Sequence, residues 1–189
     1  IPLRLVGSEM CIRDRIRAHI TKTDWHQDRG VALEEADQTD MITVWVAITD
    51  ATQDNGCLKV IPGKHKKMLP HCPKTQTAIA DGWINEADAK ALPVKAGSLV
   101  ILHPLIPHAS LPNHTNGFRW SFDLRYNVTG QPTGRSHFPD FIAYSQSQPE
   151  RVLQDWKEWR GLWETARRKL SNGEHIPIHR WQSDAPFCA

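Results

Sequence analysis

Phe118-Arg-Trp-Ser-Phe-Asp-Leu-Arg-Tyr-Asn-Val128 alternates without a break. In an extended chain Phe118, Trp120, Phe122, Leu124, Tyr126 and Val128 share one face, and Arg119, Ser121, Asp123, Arg125 and Asn127 share the other. Such a strand has one face in an apolar layer and the other in a polar cavity or in solvent. Upstream, Met41-Ile-Thr-Val-Trp-Val-Ala-Ile-Thr49 is rich in β-branched residues and reads as a central strand. Asn55-Gly56 is a turn before a second strand, Cys57–Ile61, which Pro62-Gly63 ends. Lys95-Ala-Gly-Ser98 turns into Leu99–Leu102, and a loop with Pro104 and Pro107 follows. The centre of the chain is therefore β.

Elsewhere the pattern changes. Residues 64–91 are polar, with a short helix predicted near Asn85–Leu92. Pro149 suits a first helical turn, and Val152, Trp156, Trp159, Trp163, Ala166 and Leu170 follow at helical spacing, predicting a helix over about 149–171 with a core-facing tryptophan stripe. Asn172-Gly173 is its stop.

The 189 residues suffice for one domain with a real core. A net charge of +2 with 40% apolar residues gives no field for nucleic acid or an anionic membrane. No apolar run approaches the roughly 20 residues of a membrane-spanning helix. Cys11, Cys57, Cys72 and Cys188 are scattered, which argues against a disulfide framework or zinc-thiolate site and makes a reducing cytoplasm the default. Residues 1–15 have no secretory h-region and resemble translated adapter sequence, so they are expected to be non-native and are set aside; 16–189 is expected to be one domain.

The chemistry begins at Trp25-His26-Gln27-Asp28. On a strand, His26 and Asp28 point to the same side. An imidazole and a carboxylate are two-thirds of a 2-His-1-carboxylate triad, which holds Fe(II) and leaves positions open. Alone, H-x-D is a weak signal. His108 follows 80 residues after Asp28, beyond a strand, and Arg119 lies eleven residues further on. Counting eleven from the rival His103 lands on His114, which favours His108 as third ligand. A guanidinium suits bidentate carboxylate binding, and iron with open positions beside a buried Arg fits a 2-oxo diacid.

With these residues the chain resembles the phytanoyl-CoA dioxygenase-like Fe(II)/2-oxoglutarate oxygenases. The stretches are Trp25–Asp28, Val44–Asp50, Asn55–Leu58, Ile61–Lys66, Ala96–Val100, His108–Asn113, Arg119 and Leu124–Tyr126, in order over roughly residues 20–130. The resemblance implies a mainly β double-stranded β-helix (a cupin-like jelly-roll) with flanking helices. It implies His26, Asp28 and His108 as iron ligands, and Arg119 on the distal carboxylate of 2-oxoglutarate, helped by Ser110 and Ser121. Trp45 would line that pocket, and Gln27 and Asn113 would lie behind the ligands or toward substrate. It implies O2 as co-substrate, hydroxylation of a small organic molecule, and succinate and CO2 as co-products. Related halogenases replace the carboxylate with Ala or Gly, so Asp28 favours hydroxylation.

The family's Pro-Gly-Ser-His turn is Pro62-Gly-Lys-His65 here. Family members carry a sizeable region before the H-x-D strand, so the chain is expected to be N-terminally truncated. Arg125 shares the face of Arg119 and either reaches the substrate mouth or pairs with Asp123 or a Glu. His65, His71 and Cys72 lack zinc-site spacing, while His19, His114, His137, His175 and His179 fall in polar or loop segments and read as surface. Lys64, Lys66 and Lys67 make a small basic patch that reads as solvated. Two other functions compete: an inactive jelly-roll binding protein, and a cupin-type metal enzyme that does not use 2-oxoglutarate. Arg119 at its spacing argues against the second, the complete triad against the first.

Overall fold

The computed structural model describes residues 3–6, 22–74, 76–173 and 180–188. Cys11, His19, His175 and His179 lie outside the described residues, as does most of the adapter-like stretch. In chain order the strands are β1 (Leu3–Val6), β2 (Met41–Ala47), β3 (Leu58–Val60), β4 (His71–Pro73) and β5 (Thr77–Ile79). They continue with β6 (Lys90–Leu92), β7 (Leu99–Leu102), β8 (His108–Ser110), β9 (Ser121–Val128) and β10 (Asp140–Tyr144). The helices are a single turn, α1 (Asp28–Val31), and α2 (Trp156–Asn172).

A five-stranded antiparallel sheet runs β10-β1-β9-β2-β7, and a three-stranded sheet runs β6-β3-β8. Between them sits the apolar core: Trp45 and Ala47 of β2 and Leu102 of β7 pack with Leu58 and Val60 of β3, Ala51 and Cys57. The register of β2 on β9 sets Thr43 opposite Arg125 and Ala47 opposite Ser121. The β4–β5 hairpin forms a third, small sheet. Leu3–Val6, set aside in the sequence, runs antiparallel between β9 and β10.

The structure resolves the faces of the alternating segment. Its polar face is the interior one: Arg119, Ser121 and Asn127 are buried, while Phe118 and Trp120 are 49% and 38% exposed. The expected apolar layer over that end is absent among the described residues. The strand also starts later than its pattern, at Ser121. Ile48 N–H and Thr49 N–H both converge on the Trp120 carbonyl, and Thr49 Oγ1 accepts the Trp120 N–H, so the ladder stops there.

Three further expectations are corrected. First, α2 begins at Trp156, not near Pro149. The Asp155 carboxylate caps it by accepting from Lys157 N, while Leu153 N–H bonds the Ile142 carbonyl and draws the preceding chain onto β10. Its tryptophan stripe is buried only in the middle: Ala166 is buried and Trp163 meets Phe138, but Trp156 is 62% exposed. Second, the polar stretch 64–91 holds β4 and β5, and only one 3-10 turn (Glu86–Asp88) precedes β6 where a helix is predicted. Third, Cys72 and Cys188 form a disulfide across 116 residues, a pairing that only the tertiary fold reveals. No helix among the described residues is long and apolar enough to cross a membrane.

Gly97 sits at φ +81° in the Lys95–Ser98 turn that leads into β7, donating its N–H to the Ala47 carbonyl, with open space where a Cβ would stand. The cost of Gly97→Ala is therefore conformational alone, about 1–2 kcal/mol. Urea unfolding should show that loss; an unchanged midpoint would contradict the left-handed turn.

Candidate metal centre

The segment that carries His26 is not in a strand. One residue of it pairs with β8: His26 N–H bonds the His108 carbonyl at 3.0 Å and His108 N–H bonds the His26 carbonyl at 2.9 Å. This exchange lays the imidazoles side by side, with ring centroids 4.1 Å apart. Gln27 remains extended and Asp28 opens α1, so the carboxylate turns back toward both rings.

Asp28 Oδ1 lies 3.8 Å from His26 Nε2 and 3.9 Å from His108 Nε2, and the three side chains are 0–12% exposed. All three potential ligand atoms fall within 4.8 Å of one another. His26 Nδ1 bonds the Asp24 carbonyl at 2.8 Å and His108 Nδ1 bonds the Ile106 carbonyl at 3.0 Å. A carbonyl only accepts, so each Nδ1 carries the proton and each Nε2 presents a lone pair. Octahedral bonds of about 2.1 Å need neighbouring ligands ~3 Å apart. Closing the triad by about 1–2 Å would meet that need, and two imidazoles with one carboxylate suit Fe(II).

Charge is balanced without an ion. Thr43 Oγ1 donates to Asp28 Oδ2 and Arg125 Nη2 to Oδ1, each at 2.6 Å. Burial works against the Asp28 charge, but Arg125, both histidines and Thr43 outweigh it and hold the carboxyl below the usual carboxylate range. Burial, reinforced by His108 and Arg125 and opposed by Asp28, takes the His26 pKa down to about 3, so the ring is neutral at pH 7.

Arg119 is 2% exposed, donates from Nε to the Gly56 carbonyl at 3.1 Å and from Nη1 to Ser121 Oγ at 2.7 Å, and lies over the Trp45 ring at 5.2 Å. Arg119, Ser121 and Trp45 thus form one cluster on the inner face. Ser110 is buried on β8, where its Oγ accepts the Thr23 N–H. Gln27 is fully buried and braces the loops: its amide donates to the Lys67 and Leu105 carbonyls and accepts from Leu69 N–H. Asn113 closes its own turn, bonding the Gly117 carbonyl and Thr115.

The rival His103 is exposed, with its ring tilted against that of His65 at 5.2 Å between centroids. Cys72 is committed to its disulfide and so is not a thiolate ligand beside His65 and His71. Sequence reasoning missed Thr43, although it is two residues from Trp45 and so shares the inner face of β2. It also passed over His71, which is fully buried with its Nε2 on the Gln27 N–H at 3.1 Å.

The family profile for phytanoyl-CoA dioxygenase (PhyH) matches residues 14–121, more than half of the chain. The protein belongs to this family. The peroxisomal phytanoyl-CoA dioxygenase of Mus musculus is 36% identical over 154 residues, 73% of this chain and 44% of that protein. A methylphosphonate hydroxylase of Gimesia maris is 30% identical over 97 residues, 51% of this chain and 37% of that protein. The chain spans less than half the length of these relatives. Among solved structures, the apo non-heme monooxygenase ThoJ superposes with TM-score 0.68 at 22% identity, covering 90% of this chain and 67% of ThoJ. The non-heme alpha-ketoglutarate-dependent epimerase SnoN from nogalamycin biosynthesis gives TM-score 0.51 at 27% identity, covering 70% of this chain and 53% of SnoN. These likenesses bear out the jelly-roll expectation.

The buried neutral histidines make the metal-free protein acid-sensitive. His26 faces Asp28, His108 and Arg125; His71, brought to about 4 by burial, faces Arg180. Both protonate in the unfolded chain near pH 6.5 and in the folded one only at these lower values, so the unfolded state gains protons first. Stability is full above pH 6.5 and falls as pH drops, by up to about 1.4 kcal/mol per pH unit for each ring. Urea unfolding at pH 7, 6 and 5 measures this; a flat profile would contradict burial of neutral rings.

Proposed function

We propose that this protein is a non-haem Fe(II)/2-oxoglutarate-dependent dioxygenase that hydroxylates a small organic substrate and releases succinate and CO2. Residues 16–189 act as one oxygenase domain. The reading is carried by the convergence of two Nε2 lone pairs and one carboxylate oxygen in a buried site. Membership of a family that includes dioxygenases and a relative named as a hydroxylase supports it, as does the alpha-ketoglutarate dependence stated for SnoN.

His26, Asp28 and His108 hold the iron. Iron with 2-oxoglutarate supplies the oxidising chemistry with dioxygen that no side chain provides. Arg119 binds the distal carboxylate of 2-oxoglutarate, oriented by Ser121 and the Gly56 carbonyl and backed by Trp45, with Ser110 beside it. A planar guanidinium held by two hydrogen bonds is preorganised for a carboxylate. Thr43 orients the Asp28 carboxylate, and Arg125 brings positive charge to its substrate side. Gln27 and Asn113 shape the loops around the site. Retention of Asp28, where halogenases have a small residue, favours hydroxyl transfer.

Anaerobic titration with Fe(II) and then 2-oxoglutarate should raise a visible charge-transfer band. Asp28→Ala should abolish the band, and Arg119→Ala should weaken 2-oxoglutarate binding by about 30-fold or more. Succinate release under air then opens the substrate screen. A folded parent protein with no band would overturn the proposal in favour of a binding module, and iron uptake without any response to 2-oxoglutarate would favour cupin-type chemistry.

A further inference from the structure

Three buried histidines share one local device. His26, His71 and His108 each bond through Nδ1 to the carbonyl two residues back, which leaves Nε2 as an acceptor. In His26 and His108 that acceptor faces Asp28; in His71 it takes the N–H of Gln27, the residue between the ligands His26 and Asp28. The His71 ring also fills the space beside Gly30, where a Cβ would come within 2.3 Å of it. His71 thus grips the chain on both sides of Asp28.

What holds His71 there comes from the far end of the sequence. Trp181 stacks on its ring, with centroids 5.2 Å apart and planes at 25°. The same indole donates from Nε1 to the Gly30 carbonyl at 2.6 Å. Two anchors fix the segment 180–188: the Cys72–Cys188 disulfide, adjacent in sequence to His71, and the Arg180–Asp37 ion pair at 2.6 Å. One indole therefore contacts both the brace behind the ligand segment and the segment itself.

We propose that the segment Arg180–Cys188 is a positioning strap for the iron site, with Trp181 as its working residue and the Cys72–Cys188 bond as its anchor. Trp181 touches neither metal nor substrate. It acts through His71 and Gly30, fixing the backbone from Gln27 to Gly30 so that Asp28 meets the two imidazoles. Partners of this indirect kind set metal affinity because ligands that must be ordered on binding bind more weakly. The inference rests on reading His26, Asp28 and His108 as the iron site.

The test is anaerobic titration with Co(II), read by its d–d absorption, on the parent protein, Trp181→Leu, Cys188→Ser and Gly97→Ala, with urea unfolding of each. Trp181→Leu should lower Co(II) affinity about tenfold, and Cys188→Ser should lower it in the same direction. Gly97→Ala, which is destabilised at a turn away from the strap, should bind like the parent. Affinities of folded Trp181→Leu and Cys188→Ser within twofold of the parent would overturn the strap, as would an equal loss in Gly97→Ala. Should Trp181→Leu fail to fold, Cys188→Ser and Trp181→Phe decide by the same criterion, since Phe keeps the stack and loses only the bond to Gly30. A folded parent that takes up no Co(II) would overturn the iron-site reading itself, an outcome separable from failure of the strap.

Discussion

The site depends on the two hydrogen bonds that His26 and His108 exchange through their backbones. They are a single step of antiparallel pairing at the edge of a three-stranded sheet. That step fixes the spacing of two imidazoles from distant parts of the chain more tightly than side-chain contacts could, because a ladder pair leaves the backbones little freedom. Each ring can still turn about its two side-chain torsions, and the bond from Nδ1 to the carbonyl two residues back restricts them. The third group is not supplied by the ladder. The chain leaves the extended conformation after Gln27, and the first turn of α1 swings Asp28 back toward the rings.

Burying that carboxylate has a physical consequence on the opposite sheet. A lone buried charge costs several kcal/mol, and the register of β2 against β9 answers it by placing Thr43 and Arg125 opposite each other, one for each carboxylate oxygen. The carboxylate is thereby held in place with its charge compensated. A cation approaching Asp28 Oδ1 meets a guanidinium already bonded to that atom, so metal entry must shift Arg125 or share the oxygen with it. On the proposed iron reading, this competition would lower affinity for the ion. The same inner face explains why a strand with four polar residues in alternation can be central: Arg125 faces the buried Asp28 carboxylate.

Much of this was legible in the sequence for reasons that are local. The alternation over Phe118–Val128 announced a strand with one polar face, and H-x-D with a later His named the three side chains that the fold brings together. What was hidden depends on tertiary placement. Nothing local distinguishes the Cys72–Cys188 pair from four scattered thiols, and the fold joins them across 116 residues. Thr43 looked like one more β-branched strand residue, and its role appears only when β9 lies beside β2. The helix periodicity around Trp159 and Trp163 was real, but Asp155 is a better N-cap than anything near Pro149, and the chain before it is drawn onto β10. Periodicity reports which face could be buried; the neighbours decide how much of it is.

His71 illustrates the limit most clearly. By sequence it is one of ten histidines, in a polar stretch with no ligand spacing. In the fold it repeats the side-chain geometry of His26 and His108 but spends its acceptor on an amide. The distinction between a metal ligand and a brace is therefore not in the residue or its tautomer. It lies in what the fold places 3 Å from Nε2: at His71 a peptide N–H satisfies the lone pair, whereas at His26 and His108 the nearest charged partner is a carboxylate still 3.8–3.9 Å away. Two imidazole lone pairs and a carboxylate oxygen thus face one another across gaps too long for hydrogen bonds, and that arrangement is the one on which the proposed iron site rests.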